Sequence, residues 1–190
     1  MYEVRFHGRG GQGSVMAGAM LATAMVEEGK YAVSIPSFGF ERRGAPVVSF
    51  LRVSDKEIRQ LTNIYSPDCI ICVDPSLFRT VDIFAGLKDG GTLVQATHLP
   101  LDAMKIPDTV GTVGLCNAVP IAMEIFKRPI TNTLMLGAFA RTTGMVSLDS
   151  LRRALEESDF RDAGLKQNLL ALERGYEETV VHQLNRRVAA

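Results

Sequence analysis

Gly8-Arg9-Gly10-Gly11-Gln12-Gly13 lies between an apolar run, Val4 to Phe6, and a helical pattern, Ser14 to Glu28. A strand that enters a glycine turn and leaves as a helix is the opening unit of a dinucleotide-binding α/β fold. Gly8, Gly10 and Gly13 fit G-x-G-x-x-G. In that pattern the first glycine allows a tight turn, the second a close approach of phosphate to backbone, and the third close helix–strand packing. N–H groups at the helix start, together with its dipole, then favour an anion. Gly11 is not needed by the pattern and loosens the loop further. The same glycines also suit a turn that only lets a helix pack on its strand, so the loop alone leaves both readings open.

Outward from this loop, Met16, Ala17, Met20, Leu21, Ala24 and Met25 recur at helical spacing and end at Gly29. The small residues Ala17, Gly18, Ala19 and Ala22 let that helix lie close to a sheet, and the methionines read as core filler. Tyr31 to Pro36 alternates as a second strand, and Val47 to Val53 resumes one. Between them, Ser37 to Pro46 is a long loop with two aromatics, two arginines and two glycines. A hairpin that needed only a connection would use a short turn, so this loop is a functional candidate; a solvated basic loop is the alternative. Cys69-Ile70-Ile71-Cys72-Val73 reads as a central parallel strand buried on both faces. After it, Leu77 to Leu87 looks helical, Thr92 to Ala96 is a short strand, and Thr109 to Leu115 is the expected last strand. Helices are predicted over Ala118–Phe126, Asn132–Thr143, Leu148–Glu156 with Ser147 as cap, and from about Asp162 to Arg186. The fold class is therefore α/β: a Rossmann-like, mostly parallel sheet flanked by helices, with a helical C-terminal third. No repeat or low-complexity linker divides the chain, so one domain over residues 1–190 is expected.

Twenty-one Lys and Arg balance 21 Asp and Glu, which leaves no global field to draw in nucleic acid or an acidic membrane. The apolar stretches fall short of membrane-spanning length, and Met1 leads into a strand rather than a signal peptide. Three cysteines, an odd number, suit a reducing cytoplasm. On a strand, Cys69 and Cys72 point to opposite faces and cannot converge on one ion; with Cys116 alone elsewhere, an iron–sulfur cluster lacks its four thiolates. His7 closes the first strand and could touch a phosphate or be satisfied by backbone, while His98 and His182 have no partner at a telling spacing. No catalytic group and no metal ligand emerges from this inventory.

A nicotinamide-binding fold usually ends its second strand in Asp or Glu to hold the ribose. Here that region supplies Arg42 and Arg43, and guanidinium pairs naturally with a phosphate monoester. The adenosine end of the ligand is thus expected to carry an extra phosphate, which NADP and coenzyme A both do; residue chemistry alone does not choose between them.

The glycine loop, followed by Ser37-Phe38-Gly39-Phe40-Glu41-Arg42-Arg43-Gly44-Ala45-Pro46-Val47 and then Phe50-Leu51-Arg52, resembles the gamma subunit of the 2-oxoacid:acceptor oxidoreductases. These are the pyruvate and 2-oxoacid ferredoxin oxidoreductases and their relatives. Thr131 to Ala138 and Asn168 to Tyr176 are also similar to that family, so the resemblance spans nearly the whole chain in order and spacing. The beta subunit of indolepyruvate oxidoreductase shares the glycine loop but less obviously Glu41-Arg42-Arg43-Gly44.

The resemblance implies a heteromeric complex of anaerobic metabolism that cleaves a 2-oxoacid on thiamine diphosphate and delivers the acyl group to coenzyme A. It decides the earlier tie for coenzyme A. Carried over, Gly8, Arg9, Gly10, Gly11, Gln12 and Gly13 would take the pyrophosphate, and Arg42 or Arg43 the adenosine phosphate, in a motif completed by Glu41 and Gly44. Thiamine diphosphate with Mg and the [4Fe-4S] clusters would lie on alpha, beta and delta-type partner subunits. This chain lacks the G-D-G metal–diphosphate motif, of which Asp89-Gly90-Gly91 is not a version. Electrons would pass to ferredoxin or to a flavin/NAD subunit. A stand-alone NADP-dependent oxidoreductase and a purely structural scaffold subunit are the rival readings.

Overall fold

The computed structural model describes residues 1–36, 44–158 and 164–184. The chain runs β1 (Tyr2–Arg9), α1 (Ser14–Glu27), β2 (Tyr31–Pro36), β3 (Pro46–Ser54), β4 (Cys69–Cys72) and a single turn α2 (Leu77–Thr80). It continues with β5 (Gly91–Ala96), β6 (Val110–Cys116), α3 (Ala118–Phe126), α4 (Asn132–Thr143), α5 (Leu148–Glu156), α6 (Leu165–Glu177) and β7 (Val180–Gln183).

The seven strands form one sheet in the order β2-β3-β1-β4-β5-β6-β7. β1, β4, β5 and β6 are mutually parallel, and β2 runs the same way because it reverses twice through β3. Only β3 and β7 oppose that direction. The opening β1–α1–β2 unit thus departs from the expected Rossmann-like order in one respect: β3 inserts between the two strands that α1 joins.

The alternation of β1 explains both layers. Val4 and Phe6 join α1, α3, α4, α5 and α6 in one large apolar core, with Cys69, Ile71 and Val94 from the neighbouring strands. Ile70, Cys72 and Leu93 face the other way, into a smaller core closed by Leu77, Ile83, Leu87 and Met104. The long helices therefore gather on one face, and the other face is covered by α2 and by irregular chain. Cys69 and Cys72 fall on opposite faces, as their spacing on a strand requires.

Two expectations are corrected. Leu77 to Leu87 is helical only as far as Thr80. The buried Arg5 guanidinium draws in the carbonyls of Ile83 at 2.9 Å and Ala85 at 2.6 Å, and the Asp82 carboxylate accepts from the Phe84 N–H at 3.1 Å. These bonds take the backbone groups a continuing helix would have used. The final helix, expected to reach Arg186, ends at Glu177 and is followed by β7, which carries His182 opposite Val113. The Thr179 hydroxyl donates to the Gly175 carbonyl at 2.6 Å as the helix ends. Thr179, Val180 and Val181 are β-branched, and β6 otherwise presents an unpaired edge, so pairing there outweighs helical periodicity. β6 is consequently not the last strand.

Candidate anion site at the carboxyl ends of the parallel strands

The connection leaving β1 passes over the helical face of the sheet, while the one leaving β4 passes over the other. β1 and β4 are neighbours, so a crevice opens between their carboxyl ends, the topological switch point where open α/β sheets bind ligands. Four segments meet there: the glycine loop, Gly44–Ala45, Asp74–Ser76 and Thr131–Asn132.

The loop is held from both sides. Gly10 donates its N–H to the Ala45 carbonyl at 2.9 Å and accepts from the Gly44 N–H at 3.1 Å. The Arg9 guanidinium donates to Ser76 Oγ at 2.8 Å and to the Gly44 carbonyl at 3.0 Å, and lies 3.5 Å from Asp74. The Gln12 side chain accepts from the Arg9 N–H at 2.7 Å and donates to the Asp74 carboxylate. Burial pushes the Asp74 carboxyl up, but hydrogen bonds from Ser76 and Gln12 and the Arg9 charge outweigh it and hold the group below its ordinary value.

With these contacts made, the amides of Gly11, Gly13, Ser14, Val15 and Met16 donate to no other described residue. Gly11 (φ 90°) and Gly13 (φ 77°) adopt the left-handed conformation that turns successive N–H groups toward one point. Gly13 is the N-cap of α1 and offers no capping side chain, and the first turn of α1 holds no acidic residue. This is an uncompensated cluster of donors at the positive end of a 14-residue helix, and it fits a phosphate group.

The glycine roles differ from those the pattern suggests. Gly8 is a strand residue paired with Val47, and it is Gly8 that permits close helix packing: a Cβ there would collide with Ser14 Oγ and come within 2.8 Å of Val73. Gly10 spends its N–H on Ala45 and has none for a phosphate. Glu41, Arg42 and Arg43 lie outside the described residues; their flanks, Pro36 and Gly44, stand at the same end of the sheet as the glycine loop.

His7 does not reach the loop as a phosphate ligand. It is 5% exposed on the face away from the helices and accepts from Arg5 Nε at 3.0 Å. Burial, reinforced by the Arg5 charge, lowers its pKa to about 3 and keeps it neutral. Sequence reasoning missed Ser14, Asp74, Ser76 and Asn132 as site residues. The signal for Asp74 and Ser76 was available: they directly follow the most apolar strand, where a parallel sheet places its ligands. Asn132 could be reached only through the packing of α4. Among the described residues no group of three His, Cys, Asp or Glu is placed to hold a metal ion. No helix among them is long and apolar enough to cross a membrane.

Fold and site together define an α/β chain with a candidate anion cradle at its switch point. Residues 3–178 match the family described as pyruvate ferredoxin/flavodoxin oxidoreductase, and the chain belongs to that family. It is 78% identical over its full length, and that of the relative, to the NADH-dependent phenylglyoxylate dehydrogenase subunit gamma of Aromatoleum evansii. The pyruvate/ketoisovalerate oxidoreductases common subunit gamma of Thermococcus kodakarensis is 48% identical, covering 97% of this chain and 100% of the relative. Among solved structures, the pyruvate oxidoreductase subunit PORC of Thermotoga maritima superposes with a TM-score of 0.83 at 35% identity, covering 96% of this chain and 98% of that one. The chain is accordingly a gamma-type subunit of an oxoacid oxidoreductase complex.

Proposed function

We propose that this subunit serves a thiamine diphosphate- and iron–sulfur-dependent complex that oxidatively decarboxylates a 2-oxoacid to an acyl-CoA. The chain helps bind coenzyme A and closes the active site, while alpha, beta and delta-type partners in the cytoplasm carry the bond-breaking groups. The observation that carries this reading is the set of amides at Gly11 and Gly13 to Met16 that have no partner among the described residues, at the switch point beside the flanks of the Arg42–Arg43 segment. Within the Gly8 to Gly13 loop the amides of Gly11 and Gly13, with those at the start of α1, hold the diphosphate of coenzyme A, and Arg42 or Arg43, with Glu41 and Gly44 in the same motif, hold its adenosine phosphate. Fixing the thiol donor this way raises its effective concentration at the acyl-forming centre, and covering that centre excludes water.

The full-length relative named for phenylglyoxylate and NADH extends the reading to an aromatic 2-oxoacid and a nicotinamide acceptor reached through a flavin subunit. The three cysteines are buried and free, and two of them lie on opposite faces of the sheet, which supports assigning the clusters to partner subunits.

The test is the co-purified complex assayed with phenylglyoxylate and with pyruvate. Arg42→Ala with Arg43→Ala is expected to raise the KM for coenzyme A and leave coenzyme-independent carbon dioxide release intact. An unchanged KM removes those arginines from the site, and equal turnover of pyruvate removes the aromatic preference.

A further inference from the structure

The start of α4 is pressed against the start of α1. The Asn132 amide occupies the space a Cβ on Gly13 would need, with Nδ2 facing the glycine. The Thr131 hydroxyl, which could cap α4, donates instead to the carbonyl of Val73 at 2.7 Å, at the end of β4. The first turn of α4 contains no acidic residue, and its N-cap side chain makes no capping bond to the helix. Elsewhere in the same chain a helix start is finished conventionally: α5 has Ser147 accepting from the Ser150 N–H at 3.1 Å and Asp149 in its first turn. Two positive helix ends, one of 14 residues and one of 12, thus meet at Gly13, and neither has a capping side chain or an acidic residue in its first turn.

A second, independent observation lies at the same point. The described residues contain three buried side-chain polar atoms without a hydrogen-bond partner, and two of them are Ser14 Oγ and Asn132 Oδ1. Ser14 is 3% exposed and Asn132 is 6% exposed, and each abuts a glycine of the loop, Gly8 and Gly13 respectively. A buried polar group without a partner is rare enough to require a reason. Nδ2 of Asn132 has no hydrogen-bond partner among the described residues either, so a half-turn of the amide exchanges oxygen for N–H donor without steric change.

We infer that the cradle has two lobes, and that Asn132 at the start of α4 binds the second phosphoryl group of a diphosphate whose first lies on the amides at the start of α1. A diphosphate fits because each helix end then receives an anionic group of its own, and the Asn132 amide beside Gly13 gains an acceptor for its N–H. This inference rests on the coenzyme A reading and goes beyond it by assigning the contact to α4.

The experiment uses the assembled complex with three thiols as probes: coenzyme A, dephospho-coenzyme A, which keeps the diphosphate, and pantetheine, which has no phosphate. Asn132→Ala is expected to raise the KM of the first two about tenfold alike, the scale of one hydrogen bond to a charged group, and to leave that of pantetheine unchanged. Asn132→Asp, nearly isosteric, is expected to raise them further by repelling the diphosphate. The arginine pair should act on a different ratio, narrowing the gap between coenzyme A and dephospho-coenzyme A. If the arginine variant narrows that gap while Asn132→Ala and Asn132→Asp leave all three KM values at wild type, the second lobe is refuted and the coenzyme A reading stands. If neither set changes any value, both fall. Equal rises for all three thiols, pantetheine included, also refute the lobe, because a misfolded subunit rather than a lost phosphate contact produces them.

Discussion

Gly137 of α4 lies directly on the carbonyl of Leu172 in α6, and the relation is reciprocal: Gly175 of α6 lies on the carbonyl of Leu134 in α4. A Cβ on Gly137 would also come within 2.6 Å of the Tyr176 N–H nitrogen. The two helices therefore cross at backbone distance. Thr133 Oγ1 donating to Asn168 Oδ1 at 2.8 Å fixes their rotation. α6 in this way sets where α4 begins, and so where Asn132 meets the glycine loop.

Gly137→Ala or Gly175→Ala must push the helices apart. Overpacking against a carbonyl is expected to cost about 2–3 kcal/mol, exceeding alanine's helix advantage of about 1 kcal/mol. For a chain of this size that lowers the thermal midpoint by roughly 5–10 °C, read by circular dichroism. A midpoint equal to wild type would mean that the crossing is looser than described.

His7 supplies a pH dependence whose sign is fixed. Its pKa is about 3 in the fold against 6.5 for the free side chain, with burial the main cause and the Arg5 charge the second. Between those values the unfolded chain takes up a proton that the native chain refuses. Stability is therefore whole above pH 6.5 and declines as the pH falls toward 3, by at most about 1.4 kcal/mol per unit. His7→Gln keeps an acceptor for Arg5 Nε and removes the titration. Urea midpoints at pH 7.5 and 5 should differ for wild type by clearly more than for the variant.

Asp74 balances Arg9 and holds Gln12, so it acts on the loop through both. Asp74→Asn keeps the shape and removes the charge. The expected outcome is a rise of roughly three- to tenfold in the KM for coenzyme A, on the scale of one charge-assisted bond. Coenzyme-independent decarboxylation should be unchanged, and a fall there would place Asp74 in the chemistry itself.

Burial pushes all three thiols up, Cys72 to about 12 and Cys116 to about 11. In the folded subunit they should resist a disulfide reagent that titrates all three after denaturation. Cys72→Ala with Cys116→Ala should leave the iron and sulfide content of the complex at wild-type values; a drop would mean that this chain ligates a cluster.

Much of this was legible in the sequence because it is local. The strand–glycine–helix start, the apolar run at Cys69–Val73 and the opposed cysteines follow from periodicity within a few residues. What escaped depends on distant partners. Arg5 unwinds the segment after Thr80 from across the sheet, and β6 recruits Val180–Gln183 as a strand despite a helical pattern. The site followed the same division: its glycines could be read from a motif, but Asn132 comes to Gly13 only through the crossing of α4 on α6. The motif also does not reveal that Gly8 lies in β1 against Ser14, or that the Gly10 N–H goes to the Ala45 carbonyl just before β3.

The insertion of β3 next to β1 also bears on how the polypeptide is made. β1 leaves the ribosome before both of its neighbours in the sheet, which begin at Pro46 and Cys69. At roughly 5–20 residues per second, Val4 and Phe6 wait several seconds for both flanking strands to emerge. β1 thus stays uncovered until both flanking strands have emerged, and slower elongation between Tyr2 and Cys72 lengthens that exposure. Yield of the recombinant subunit should accordingly respond to chaperone supply during those seconds more than to any property of the finished fold.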